Sequence, residues 1–589
     1  MSFIRLRGIG VSPGIGMGEI CLSERVVFTA RKEVIPRARV PWELKRLKKA
    51  AERTKEELLE LKKDVSNKMG EEHAFIFDAH LLILEDRSLF SAVEKIIEEE
   101  KARAEWALSQ VNRKYQSLFD SLDDDYFRQR KFDVSDVLSR IYGNLEVKKP
   151  TKGNACDARK MILVAHELLP SEAAMRLSQG NVLAVAMDVG GPTSHTAILA
   201  RSLNIPAVVG LHNITQQVKN DDYLIVDGTD GEVIINPPLA VKKEFQGKKE
   251  KYDRYCRELK KTAKLKSVTL DEVRFCPLAN IELPEEVNMA FSFGAEGIGL
   301  FRSEFIFLQK ETLPSEEDHF SVYSRIAKSA HPFPVYIRTL DIGGEKSLPQ
   351  LEIEKEPNPA LGLRAIRFSL KNRDLFKTQL RAILRASQAK NVRILIPMIT
   401  EVEEIGEVKL LFEEVKQELE KERIKFDRQI PLGVMIEVPA AAAIADILVK
   451  EVDYISIGTN DLIQYYLAVD RSNEFVSYLY KPLHPSVLRL IKFTIEASLR
   501  EGKDVTVCGE MAADPLSALI LFGFGLRKFS MNPIFIPRIK KTLRSVELRT
   551  VEKAVEEALG LKTAQDIEEH IIERILLKHP KAFLMGQAI

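Results

Sequence analysis

A single histidine, His195, stands between hydroxyl residues in the run Gly190-Gly191-Pro192-Thr193-Ser194-His195-Thr196. The apolar stretch 182–189 ahead of it reads as a short strand, and 197–203 behind it reads as helix. The histidine thus falls at a strand-to-helix turn, beside unpaired backbone N–H groups and the positive end of a helix dipole. That setting suits an imidazole that accepts and releases a phosphoryl group. The dipole contributes only ~0.3–1 kcal/mol, so it helps hold a phosphate but does not drive a reaction. The same residues also describe an ordinary helix start, with Thr193 or Ser194 as N-cap and a bystander histidine. Taken alone, the segment supports both readings.

Other chemistry-bearing residues recur where apolar runs end beside glycines. They lie in Gly297-Ile298-Gly299-Leu300-Phe301-Arg302-Ser303-Glu304, in Arg338-Thr339-Leu340-Asp341-Ile342-Gly343-Gly344-Glu345-Lys346, and in Asn358-Pro359-Ala360-Leu361-Gly362-Leu363-Arg364. Met435-Ile436-Glu437-Val438-Pro439, Gly458-Thr459-Asn460-Asp461 and Cys508-Gly509-Glu510-Met511 follow. With the histidine segment, this set resembles Enzyme I of the bacterial phosphotransferase system, the family of phosphoenolpyruvate–protein phosphotransferases. The resemblance runs from Gly8-Ile9-Gly10-Val11-Ser12-Pro13-Gly14 to Phe529-Ser530-Met531-Asn532 and Ile536-Pro537-Arg538-Ile539. Any one motif is weakly specific; the whole set in the family's order is highly specific.

The resemblance implies that His195 takes phosphate from phosphoenolpyruvate, releases pyruvate, and passes the phosphate to HPr, the small phosphocarrier protein. Phosphoenolpyruvate carries a carboxylate and a phosphate, so its binding calls for several cations and a hard metal. Arg302, Arg338, Arg364, Arg471 and Lys346 are the candidate cations, and arginine's planar fork matches phosphate oxygens. The resemblance implies that Arg302, Arg338 and Arg471 contact the phosphate, with Lys346 assisting, and that Asn460 donates to the substrate. Glu437 and Asp461 both follow apolar strands, where an unpaired carboxylate is costly. Two carboxylates with water and substrate oxygens suit magnesium, as the resemblance also implies; salt bridges inside the site are the alternative. Cys508, before Gly509-Glu510, is a candidate general acid for the enolate of pyruvate, with Glu510 orienting it; a small packed cysteine is the alternative. Histidines other than His195 lack its turn-and-hydroxyl setting. His80 differs only in lying in a segment that, by resemblance, docks HPr, where Glu71, Glu72 and Asp86 are candidate contacts.

Two residues depart from the family pattern. Pro192 stands where the family commonly has arginine, which removes one charge near His195, and Ala513 replaces a usual glycine. Three relatives of the reading are weighed against it. Pyruvate phosphate dikinases and phosphoenolpyruvate synthases need a large ATP-binding domain, for which no segment is long enough. A nitrogen-regulatory Enzyme I paralogue usually carries an N-terminal sensory domain, for which no segment is seen. A non-catalytic HPr-binding regulator would not need the intact charged set.

The elements that must position these groups follow from composition and periodicity. The 589 residues suffice for three or four domains, and 45% hydrophobic with 29% charged residues fits a globular chain. Lys and Arg number 87 against 86 Asp and Glu, which argues against a general nucleic-acid binder. No apolar run reaches membrane-span length, no secretory signal is visible, and five scattered cysteines predict free thiols in a cytoplasmic protein. The expected fold is multidomain α/β. Residues 1–30 and 146–236 form a β/α phosphohistidine domain, with strands at 161–165, 182–189, 207–209, 223–226 and 232–235. Residues 31–145 are an inserted helical domain in which Leu58, Leu61, Val65 and Ile76, Ala79, Leu82 repeat at helical spacing. A charged linker helix at 237–266 leads to a phosphoenolpyruvate-binding (β/α)8 TIM barrel at 267–589. Its eight strands are expected at 273–278, 297–300, 335–338, 393–397, 432–437, 454–458, 505–509 and 527–531. Asn280, Arg302, Arg338, Glu437, Asn460, Asp461 and Cys508 then fall at strand C-terminal ends, where TIM-barrel sites are built. The resemblance further implies a homodimer formed through the barrel and a swivel near 236–266.

Overall fold

The computed structural model describes residues 3–23, 30, 32–69, 76–120, 125–145, 159–191, 194–203, 205–220, 222–308, 313–343, 356, 358–471, 473 and 475–578. The chain divides into two compact units, residues 1–254 and 255–589.

In the first unit, strands β1 (Ile4–Arg7), β2 (Ile9–Ser12) and β3 (Ile15–Leu22) precede a run of helices. Strands β4 (Met161–Ala165), β5 (Val182–Met187), β6 (Ala207–Val209), β7 (Tyr223–Asp227) and β8 (Glu232–Ile235) follow it. All eight join one sheet in the order β1-β8-β7-β3-β4-β5-β6-β2. β3 pairs in parallel with β4, so strands from both sides of the helical run share one ladder. Side chains alternate between the faces: Ile162 and Val164 of β4 join one core, while Leu163 and Ala165 join another that continues into the helices. β5 ends at Met187, two residues earlier than expected, because Asp188 and Val189 turn away into the loop before His195.

The helices are Val40–Met69, Ile76–Glu85, Arg87–Glu100, Ala104–Asp120 and Asp125–Leu145. Leu47, Ala50, Thr54, Leu58 and Val65 form the buried stripe of the first, at steps of three, four and seven residues that bring one face inward. In the second helix the stripe differs from expectation. Leu82 is exposed, and Phe77, His80 and Leu84 are buried instead. A run apolar nearly all round carries little periodic signal, so neighbouring helices chose the face. Cys21, expected as a free thiol, is disulfide-bonded; sequence spacing says nothing of spatial proximity. A 25-residue helix, Leu239–Ala263, follows β8. No helix among the described residues is long and apolar enough to cross a membrane.

The second unit contains a closed barrel of eight parallel strands. They are β9 (Cys276–Ile281), β10 (Ile298–Arg302), β11 (Val335–Arg338), β12 (Val392–Ile396), β13 (Leu432–Ile436), β14 (Tyr454–Ile457), β15 (Asp504–Val507) and β16 (Lys528–Met531). Seven lie within a residue or two of expectation; β9 begins three residues late. Residues 268–274 are consumed by an antiparallel bridge, Val268 to Arg274, whose turn is held by Val273 N–H donating to Thr269 Oγ1 at 2.9 Å. Inside the barrel, Leu278, Leu300, Tyr336, Leu395, Met435, Tyr454 and Cys508 form a small core. The larger core lies between strands and outer helices.

Candidate active site

Strand parity builds the site. In a strand, residues two apart share a face. Leu278, Leu300, Tyr336 and Met435 face the barrel interior, so Asn280, Arg302, Arg338 and Glu437, each two residues on, face it too. Cys508 belongs to the inner core directly. Asn460 and Asp461 enter from the helix Thr459–Leu467, which starts right after β14. Arg302, Arg338, Glu437, Asn460, Asp461 and Cys508 line one cavity of about 230 Å³, with Asp341, Arg364, Gln464 and Arg471.

Two buried arginines dominate it. Arg338 pairs with Glu304 and with Asp341 at 3.1 Å. Arg364 donates to Asp341 at 3.0 Å, Asp461 at 3.2 Å and the Tyr465 hydroxyl at 2.9 Å. Burial opposes each charge, but the surrounding carboxylates outweigh it and hold both guanidiniums well above their usual range. The Nε of each has no hydrogen-bond partner among the described residues. Orphaned donors are costly when buried, so the pair is only partly satisfied by protein. Arg302 is half-exposed and bridges to Glu282 at 2.6 Å. Arg471, also half-exposed, approaches Glu510 at 3.7 Å.

Glu437 is buried and accepts the backbone N–H of Met398 at 2.7 Å. Burial first, then the charges of Asp461 and Asp341, push its carboxyl up from 4.5 to about 8, with Arg338 and Arg364 pulling the other way. The space beside it depends on Gly458, where a Cβ would sit 2.8 Å from Glu437 Oε2. Among the described residues no group of three or more His, Cys, Asp or Glu is arranged around a metal position. The other carboxylates of the cavity are Asp461, which pairs with Arg364, and Asp341, which pairs with both arginines.

Cys508 follows β15. Its Sγ lies 3.7 Å from the carbonyl of Ile457, and its own carbonyl accepts from Asn280 Nδ2 at 3.0 Å. Burial pushes the thiol up to about 11, so it is protonated near neutrality. Glu510, expected to orient this thiol, is engaged elsewhere. Its N–H donates to Asn460 Oδ1 at 2.8 Å, and its carboxylate accepts from Asn460 Nδ2 at 3.1 Å. Glu510 opens a 3-10 turn, Glu510–Ala512, right after Gly509. Asn280, with Ser530 donating to its Oδ1 at 2.5 Å, holds Cys508 instead.

Other expected residues lie apart from this cluster. His195 is the first residue of the helix His195–Ser202, and Ser194 caps it by accepting from Ala197 N at 3.3 Å. The side chain of His195 lies outside the described residues, as do Pro192, Lys346, Glu71 and Glu72. Asp86 is exposed and caps the helix Arg87–Glu100, accepting from Ser88 N and Ser88 Oγ at 2.7 Å each. His80 is buried, with Nε2 3.3 Å from Asp133 Oδ1, and presents no surface to a partner. Glu304, Asp341 and Tyr465 had no assigned role in sequence. Asp341 was within reach, three residues after Arg338 in the same motif; Tyr465 carries no signal, since only folding brings it to Arg364.

A closed parallel barrel with arginines, paired carboxylates and a thiol at the C-terminal ends of its strands defines an enzyme site for a small polyanion. Residues 256–548 match the PEP-utilising enzyme, PEP-binding domain; residues 7–130 match the PEP-utilising enzyme, N-terminal, and 158–231 the PEP-utilising enzyme, mobile domain. The chain is 41% identical over 562 residues to the phosphoenolpyruvate-protein phosphotransferase of Geobacillus stearothermophilus, covering 95% of this chain and 96% of the relative. It is 41% identical over 577 residues to that of Haemophilus influenzae, covering 98% and 99%, and 40% identical over 574 residues to that of Bacillus subtilis, covering 96% and 99%. The chain belongs to the phosphoenolpyruvate–protein phosphotransferase family and is an enzyme of that family.

Proposed function

We propose that phosphoenolpyruvate binds in the barrel cavity, that its phosphoryl group passes to His195, and that phospho-His195 hands it to HPr as the first step of phosphotransferase-system sugar uptake in the cytoplasm. The observation that carries this reading is the Arg338–Arg364 pair, with its unpartnered buried Nε donors, at the cavity in the barrel mouth. Arg302 and Arg471 stand at the same cavity with half-exposed heads, and Asn460 and Lys346 complete the proposed substrate set. The P–O bond to the enol breaks as the imidazole nitrogen forms its bond to phosphorus, in line. The arginines take up charge on the transferring group. The enolate left behind gains a proton on carbon from Cys508, whose protonated thiol is held by burial at the cavity wall.

Glu437 and Asp461 would hold magnesium. Both offer hard oxygens; the carboxyl of Glu437 is buried beside more acid than its neighbours neutralise, and Gly458 leaves room at its Oε2. Bound there, the ion would neutralise charge on the carboxylate and phosphate of the substrate.

Residues 1–30 and 146–236 are the proposed phosphohistidine domain, 31–145 the HPr-docking domain with Glu71, Glu72 and Asp86 as contacts, 237–266 the linker and 267–589 the barrel. A homodimer through the barrel is supported by exposed apolar side chains on one short segment, Phe475 at 79% and Tyr478 at 70%. Incubation with labelled phosphoenolpyruvate and magnesium tests the reading. Wild-type protein should take up acid-labile, alkali-stable label, and His195→Ala should take up none. Label at wild-type levels in His195→Ala would overturn the assignment.

A further inference from the structure

Three histidines lie on three successive loops at one end of the sheet in the first unit. His166 follows β4, His195 follows β5 and His212 follows β6. These strands are parallel neighbours, so their C-terminal ends open on one edge, where open α/β sheets bind ligands. Sequence setting alone gave neither His166 nor His212 a role.

Asp188 ties the three loops together. Its N–H donates to Ala165 O at 3.2 Å, its carbonyl accepts from His212 N at 2.9 Å, and Val189 N beside it donates to His166 O at 3.0 Å. Its carboxylate is 1% exposed and lies 3.1 Å from His166 Nδ1. Thr215 already serves both oxygens, Oδ1 from its N–H at 3.3 Å and Oδ2 from its hydroxyl. Asp188 therefore does not need His166 to be satisfied. The carboxylate instead fixes the imidazole, with Nδ1–H donating to it and Nε2 turned away. The His166 side chain is 44% exposed. This is an imidazole held from behind by a buried carboxylate and offered outward, one strand from the loop that bears His195.

We propose that His166 is a further catalytic residue of the phosphohistidine site, donating from Nε2 in its protonated form to an oxygen of the phosphoryl group carried on His195. The inference rests on the reading of His195 as acceptor. No bond to phosphorus is made or broken by His166; it stabilises the phosphorylated state and the transfer into it.

The full-length protein is equilibrated with magnesium and defined ratios of labelled phosphoenolpyruvate to pyruvate, and the phosphohistidine is observed by phosphorus NMR. The partly exposed side chain allows His166→Ala without loss of the fold, which circular dichroism checks. His166→Ala should shift the equilibrium against phosphoprotein about tenfold, the scale of one hydrogen bond to a charged group, and move the phosphohistidine resonance. His166→Gln, which keeps a donor, should recover most of the shift. An unchanged equilibrium and resonance in His166→Ala, with His195→Ala unlabelled, overturns this inference alone. Label persisting in His195→Ala overturns both readings by removing the acceptor.

Discussion

A thiol at the wall of a barrel either packs or gives up a proton, and Cys508 is placed for both. Cys508→Ser keeps the size and supplies a far weaker acid. The general-acid role predicts a fall of ~10²–10⁴ in turnover, with phosphoryl exchange between His195 and HPr unchanged; steady-state pyruvate release and exchange labelling separate the two. Near-normal turnover would leave Cys508 as packing. Glu437 gives the pH prediction. Burial, then Asp461 and Asp341, raise its carboxyl from 4.5 to about 8. Its folded form thus holds a proton that the unfolded chain has lost, so the stability it contributes is full below about 4.5 and lost as pH rises through about 8. Urea denaturation of metal-free protein should show a midpoint falling across that window, and Glu437→Gln should flatten the fall. The same Glu437→Gln change, and Asp461→Asn, should each lower phosphoenolpyruvate use at least about tenfold, ~1.4 kcal/mol in barrier, while sparing exchange with HPr. Equal loss in both assays would place the fault in folding.

Barrel strands position the site through period-two alternation and close approach. Gly299 of β10 lies where a Cβ would sit 2.2 Å from Ser530 Oγ of β16 and 2.7 Å from Leu278 Cβ of β9. Three neighbouring strands meet there, and Ser530 holds Asn280, which holds the carbonyl of Cys508. Gly299→Ala should cost ~1–3 kcal/mol from overpacking and lower turnover together, read by urea denaturation and pyruvate release. Stability and turnover both at wild-type level would show that the strands yield without moving the site. The helix starts are more local. Ser194 and Asp86 cap through their own neighbours; the Ser194 cap was legible in sequence, while the cap at Asp86 and the direction a helix faces, as for Leu82, were not.

At the scale of the molecule, the proposed chemistry is divided between two compact units, residues 1–254 and 255–589. Cleavage at that division should leave a first piece that exchanges phosphate with phospho-HPr and is not labelled by phosphoenolpyruvate, since the arginines and carboxylates lie in the second. Labelling of the isolated first piece by phosphoenolpyruvate would place substrate binding in the wrong unit. The charged helix Leu239–Ala263 joins the two, where the proposed swivel would act.

The sequence by itself determined the alternation of strands and helices in the barrel, because each strand is a short apolar run bounded by glycine or a polar residue. It also determined which positions end those runs, and parity then carries Arg302, Arg338 and Glu437 inward with the core residues two before them. Family motifs marked the same positions. Tertiary structure alone decided the rest. Arg364 reaches Asp341, Asp461 and Tyr465 across up to 101 residues of chain, and Asn280 reaches Cys508 across 228. Glu510, adjacent to the thiol's motif, turned instead to Asn460. His166 has no distinguishing neighbours in sequence, and only folding sets its imidazole against Asp188, 22 residues on. Hydrogen bonds and ion pairs act over a few ångströms of space, and a chain that closes on itself sets those distances by its topology rather than by its order.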